Sequence, residues 1–153
     1  MIRQATLDDI EFLAPRLREA DRNEIKASGG EDPLTALRRG FKISQVCKVG
    51  ISPSSGNPGF VWGVVPTSLM TGGVWAVGTE ELDKHKITFL RYCKEPLQEL
   101  QDLYPVLYNF VDGRNSLHIT WLKWMGFTII EKHPNWGYEQ IPFYEFVRID
   151  PHV

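Results

Sequence analysis

The 153-residue sequence predicts a mixed α+β fold: a mostly antiparallel sheet flanked by helices on both faces. Three observations point there. Helical and extended hydrophobic periods interleave, in the order strand, helix, helix, three strands, helix, strand, helix, two strands. Antiparallel hairpins dominate the middle, which disfavours a doubly wound parallel sheet. The composition, 42% apolar and 24% charged, is that of an ordinary globular chain, and the length fits a single domain over 1–153 with a real core.

Residues 2–5 read as a short first strand. Thr6 then stands as the N-cap of a helix, with Asp9 replacing the usual Glu of a capping box. That helix is expected through "DDIEFLAPRLREADRNEIKAS", where Ile10, Leu13, Leu17 and Ala20 recur at helical spacing. Pro15 predicts a kink inside it, and Gly29-Gly30 its end. "DPLTALRRG" reads as a shorter helix, with Pro33 near its start and Gly40 just past its end. The period then changes. "ISQVCKVGI" and "FVWGVVP" read as strands around the turn-rich "SPSSGNPG", and "GGVWAVGT" as the next strand. From Leu82 the helical spacing returns, through Phe89, Leu90, Cys93, Leu97, Leu100 and Leu103, with a break or kink expected near Pro96. "VLYNFV" is a strand, "SLHITWLKWMG" a helix, and "FTIIEKH" and "PFYEFVRI" are closing strands joined by "PNWGYEQI".

The bulk properties exclude several function classes. A net charge of −2 and a pI near 6.1 give no electrostatic footprint for nucleic acid. Cys47 and Cys93 match no zinc or redox spacing and read as reduced, buried thiols. His85, His118, His133 and His152 show no metal-ligand spacing, so no metal is expected. No signal peptide, internal repeat or apolar run of ~20 residues is visible, so no membrane span is expected and the expected setting is cytoplasm or a compartment assembled from it.

The element order, with "NFVDGRNSLHITWLKWMGF" before the last two strands, resembles the GNAT superfamily of acyl-CoA-dependent N-acyltransferases. That family's penultimate helix often opens on an Asn and closes on Gly-Phe. Here Asn115 is followed eleven residues later by Gly126 and then Phe127. "IRQATLDDIEFLAPRL" also resembles a GNAT opening. "LAPRLREADRNEI", "GVWAVGT", "FLRYC" and the stretch over 109–127 resemble the internal virion protein A family of short-tailed, podovirus-type phages, which is GNAT-like in fold. The resemblance implies one of two roles. The first is transfer of acetyl from acetyl-CoA to an amine acceptor. The second is a catalytically inactive virion or virion-assembly protein that works with other virion proteins. The implied setting is host cytoplasm or the phage virion.

Acetyl transfer needs a pyrophosphate pocket, a place for the thioester carbonyl, a base for the amine and an acid for the departing thiolate. The family's phosphate loop is rich in small residues. The matching "VGTEELDKHKIT" keeps only Gly78, and its Glu80, Glu81 and Asp83 repel an anion while serving a helix start. Lys84, His85 and Lys86 follow and are the candidates to offset them. The resemblance runs a pantetheine arm along 75–79, so Trp75, Val77, Gly78 and Thr79 are expected to line a V-shaped groove. It also places Asn115 near that arm; by its own position Asn115 is the helix N-cap. The family's Tyr, seven residues after the Asn, is Leu122 here. Tyr92, Tyr104 and Tyr108 are the substitutes, with Tyr108 the catalytic candidate beside His118. His118 falls in the helix's apolar arc between Met125 and Leu122. It reads either as a neutral core imidazole bonded to backbone or carboxylate, or as an acid/base facing the cleft. Trp121 reads as core. Trp136 reads as exposed in a loop and, with Tyr138, as a surface for a partner or acceptor. Gly113 is expected to supply positive φ in its turn.

Overall fold

The computed structural model describes residues 1–151, so His152 lies outside it. Strand β1 (Ile2–Gln4) leads into helix α1 (Leu7–Leu13). Thr6 Oγ1 accepts from Asp9 N–H, and Asp9 Oδ2 accepts from Thr6 N–H at 2.8 Å, which completes the expected capping box. Arg3 of β1 also pairs with Asp9 at 2.7 Å and ties strand to helix.

The single long helix expected through Pro15 is in fact two. A 3-10 turn over Ala14–Arg16 and an extended Leu17 separate α1 from α2 (Glu19–Gly29). Proline lacks the N–H that would continue the ladder and crowds the carbonyl four residues back. The freed Leu17 forms a β-bridge with Thr79. Gly30, at φ 70°, caps α2 in the left-handed region. Helix α3 (Pro33–Ile43) starts on Asp32, whose side chain accepts from Thr35 N–H. It continues past Gly40, contrary to the expected stop there. A Cβ on Gly40 would lie 3.2 Å from Trp75 Cζ2, so the glycine serves close packing instead of termination.

Strands β2 (Val46–Ile51), β3 (Pro58–Pro66) and β4 (Thr71–Gly78) form an antiparallel meander. The single-turn α4 (Glu81–Lys84) and the long α5 (Lys86–Leu103) follow. α5 runs unbroken through buried Pro96, contrary to the expected break, because its apolar face is anchored on both sides, by Phe89 and Cys93 before and Leu100 after. Next come β5 (Val106–Asp112), α6 (Ser116–Trp124), β6 (Thr128–Trp136) and β7 (Ile141–Ile149). The sheet has seven strands in the order β1-β2-β3-β4-β5-β7-β6. The mixed, mostly antiparallel α+β architecture is thus as the periodicity predicts.

Strand alternation divides the core between two faces. Val49, Val61 and Val77 face α1 and α3 with Ile10, Leu13, Leu17 and Leu37. Phe60, Trp62, Val64 and Leu107 face α5 and α6 with Phe89, Leu100 and Trp121. Each such side chain contributes about 1.5–3 kcal/mol on burial. Cys47 and Cys93 are free and buried, and burial pushes both thiols up to about 12, which leaves them inert.

Candidate functional site

Strands β4 and β5 run parallel but pair only at Thr71–Gly73 against Val106–Tyr108. Beyond that point they separate. Asn109 Nδ2 reaches across to Val74 O at 2.8 Å. Further on, two carboxylates of α2 stitch the strand ends together. Asp21 Oδ2 accepts from Gly78 N–H of β4 at 2.8 Å, and Glu24 Oε1 accepts from Asp112 N–H of β5 at 2.8 Å. The gap is therefore a window in the sheet, closed at both ends. A cavity of about 400 Å³ lies at this gap, lined by Glu24, Trp75, Phe110 and Trp136 and by His118 and Trp121 of α6. Val74 and Gly78 both turn backbone groups away from β3, the first to Asn109 of β5 and the second to Asp21 of α2. By the two-residue strand period Ala76 between them does the same.

Asp21 is fully buried and organises the window's upper edge. Its Oδ1 accepts from Arg18 Nη1 at 3.1 Å and from Asn115 Nδ2 at 3.0 Å. Arg18 also holds Asp83 at 3.1 Å. His118 Nε2 lies 3.5 Å from Asp21 Oδ1, yet neither it nor Asn115 Oδ1 has a hydrogen-bond partner among the described residues. Burial lowers the His118 pKa, with Arg18 adding to the effect and Asp21 opposing it, so the imidazole is neutral. Glu24 is shifted the other way: burial pushes its carboxyl up to about 8 against the pull of the Asp112 N–H. A carboxyl that titrates near neutrality and a neutral imidazole thus line one cavity, an arrangement suited to proton transfer.

The expected site residues are only partly brought together. Trp75, Val77 and His118 line the cavity. Trp75 Nε1 donates to Ser44 Oγ at 2.8 Å, which fixes its ring. Tyr108 does not line it, because it lies at the Gly73 register, where β4 and β5 are still paired. Among the described residues no tyrosine lines the cavity. Asn115 occupies the N-cap position of α6 but caps nothing; its amide is spent on Asp21 and, at 3.5 Å, on Glu24. Gly78 and Thr79 are buried outside the cavity. Lys84 and Lys86 are exposed, and Lys84 Nζ lies 3.8 Å from Glu81.

Two further expectations change. Trp136 belongs to β6, not to an exposed loop, and stacks on Phe110 at 4.6 Å and 24° and against Phe143 at 4.7 Å. Tyr138 is 71% exposed, as a surface residue should be. Gly113 has no positive φ; a Cβ there would stand 3.2 Å from Pro142 O, so close approach is what it provides. Glu131, His133 and Glu145 bring ligand atoms within 4.8 Å of one another across β6 and β7, a grouping invisible in linear spacing. His133 Nε2 lies 2.9 Å from Glu145 Oε1, within hydrogen-bond distance.

Glu24 is the functional candidate that sequence reasoning missed. It sits on a charged helix face, and its partner Asp112 lies 88 residues away, so no local pattern marks it.

No protein-family model and no curated protein matches the sequence. Solved structures do match. A GNAT-family acetyltransferase from Bacillus anthracis aligns with a TM-score of 0.72 at 11% identity, over 97% of this chain and 93% of that one. A ribosomal-protein-alanine N-acetyltransferase from Brucella melitensis aligns with a TM-score of 0.70 at 15% identity, over 98% and 99%. A GNAT-superfamily phosphinothricin acetyltransferase from Sinorhizobium meliloti, in complex with AcCoA, gives 0.68 at 12%, over 97% and 87%. At these identities the likeness establishes the fold, and the chain has the GNAT acetyltransferase fold over nearly its whole length.

Proposed function

We propose that the chain transfers an acetyl or other short acyl group from a pantetheine thioester, with acetyl-CoA as the reference donor, to an amine. The observation that carries this reading is the cavity at the β4–β5 window, with Glu24 and His118 facing it. An extended arm with amide groups suits the free edge at Ala76, and an apolar acyl end suits the walls built by Phe60, Trp62 and Trp121. In the proposed reaction the amine nitrogen attacks the thioester carbonyl, a C–N bond forms and the C–S bond breaks. Glu24 takes the proton released by the amine. A carboxyl that titrates near 8 is well matched to that task at neutral pH. The sulfur leaves as the thiolate and takes its proton from solvent, and the neutral His118 ring is assigned to offer it an N–H donor in place of the absent tyrosine. Trp75, Phe110 and Trp136 wall the acceptor side.

A second reading takes the chain as a GNAT-shaped virion or virion-assembly protein without turnover. The resemblance of 109–127 to the podovirus internal virion proteins supports it, as does the way α2 occupies the upper end of the gap. Calorimetry separates the two. Saturable binding of acetyl-CoA or acetyl-pantetheine is the result expected for an acyltransferase. No heat with either at high micromolar concentration would leave the shape-only reading standing.

A further inference from the structure

We infer that this chain engages its acyl donor through the pantetheine arm and acyl group alone, and that the nucleotide diphosphate of coenzyme A has no subsite here. The inference rests on the acyl-transfer reading above and narrows its substrate class to pantetheine thioesters as such.

The segment that would cradle a diphosphate runs from Gly78 into α4, and all but one of its backbone donors are already committed. Gly78 N–H donates to Asp21 at 2.8 Å, Thr79 N–H to Gly59 O at 2.9 Å, and Glu81 N–H to Thr79 Oγ1 at 3.1 Å. Leu82 N–H donates to Thr79 O at 3.0 Å and Asp83 N–H to Glu80 O at 3.1 Å. Between Gly78 and Asp83 an anion finds one uncommitted amide, that of Glu80, where anion sites at loop–helix junctions supply several together. The Leu17–Thr79 bridge and the Arg18 N–H to Gly78 O bond at 2.9 Å also lay the α1–α2 break over this exit.

Charge points the same way. The fully buried Asp21 carboxylate holds the Gly78 N–H, and Arg18 is divided between Asp21 and Asp83. Glu81 accepts from Ser52 and Ser54 hydroxyls, which hold its carboxyl below the usual glutamate range and keep it negative. A diphosphate would meet the Glu81 and Asp83 carboxylates with the buried Arg18 already paired, and only the exposed Lys84 and Lys86, the former already beside Glu81, stand against them. The window itself, one strand edge away, is mostly apolar and open. The arm and the nucleotide thus face opposite environments.

The test is a comparison of donors on the intact protein. Acetyl-CoA, acetyl-pantetheine and adenosine 3′,5′-diphosphate are titrated by calorimetry at low and high salt, with transfer to a panel of amines followed in parallel. The two thioesters are expected to bind within about threefold of one another, a difference of less than one decade in Kd. The nucleotide is expected not to compete. Acetyl-CoA is expected to gain affinity as salt rises, since screening relieves repulsion, while acetyl-pantetheine stays level. A preference for acetyl-CoA of about thirtyfold or more, or competition by the nucleotide, overturns the inference and leaves acyl transfer intact. Failure of both thioesters to bind overturns acyl transfer and this inference with it.

Discussion

At the scale of the residue, Glu24 and His118 leave opposite signatures in pH. The Glu24 carboxyl is raised on folding, to about 8 from 4.5. Its contribution is whole below the unfolded value and is lost as pH rises toward 8. His118 is lowered, so its contribution is whole above its ordinary 6.5 and is lost as pH falls through that value. Glu24→Gln keeps an oxygen for the Asp112 N–H and removes the titration. Urea midpoints of this variant are expected to stay level between pH 7 and 8.5, above the range in which His118 acts, where the parent's decline. If parent and variant decline together, Glu24 does not titrate near 8 in the folded protein, and the match to neutral pH on which its role as base is argued is lost. Where turnover is measurable, the same change is expected to slow it about 10²–10⁴-fold with little effect on donor binding.

At the scale of the element, α2 earns its place by what it bridges. Its carboxylates reach Gly78 and Asn115, 57 and 94 residues away from Asp21 in sequence. Removing Arg18 leaves Asp21 buried with a charge uncompensated. Arg18→Met is expected to cost about 3–5 kcal/mol in urea unfolding. Arg38→Met breaks the exposed pair with Glu11, side chains 53% and 47% accessible, and is expected to cost less than about 1 kcal/mol. Equal costs would mean that water reaches Arg18 and that the upper end of the window is not sealed.

At the scale of the whole molecule, the window depends on three layers at once: the splayed strands, α2 above them, and α5 with α6 beneath. Ala76 is the small residue at its centre. Ala76→Leu is expected to fill part of the 400 Å³ cavity, keep the melting temperature, and abolish thioester binding. Unchanged binding in a folded variant would place the donor path elsewhere. Among the described residues no helix is long and apolar enough to cross a membrane. The expectations of a phage setting and virion partners rest on the resemblance of 109–127 and its companion stretches.

The sequence by itself determined what short-range chemistry specifies. The Thr6–Asp9 box, the Gly30 cap, the continuous apolar run of β3 and the Asn115–Gly126 spacing were all legible, because each signal lies within a few residues or one helix. Pro15 was visible as a disturbance, but whether it kinked or broke the helix was decided by Thr79, which takes up the extended Leu17. Tertiary structure alone decided the site. Asn115 serves α2 instead of its own helix, Tyr108 stays where the strands are paired, and Glu24 acquires its high pKa from burial that no neighbour in sequence provides. Hydrogen bonds and desolvation act through space, so residues joined across 57 to 94 positions carry no periodic mark of their meeting.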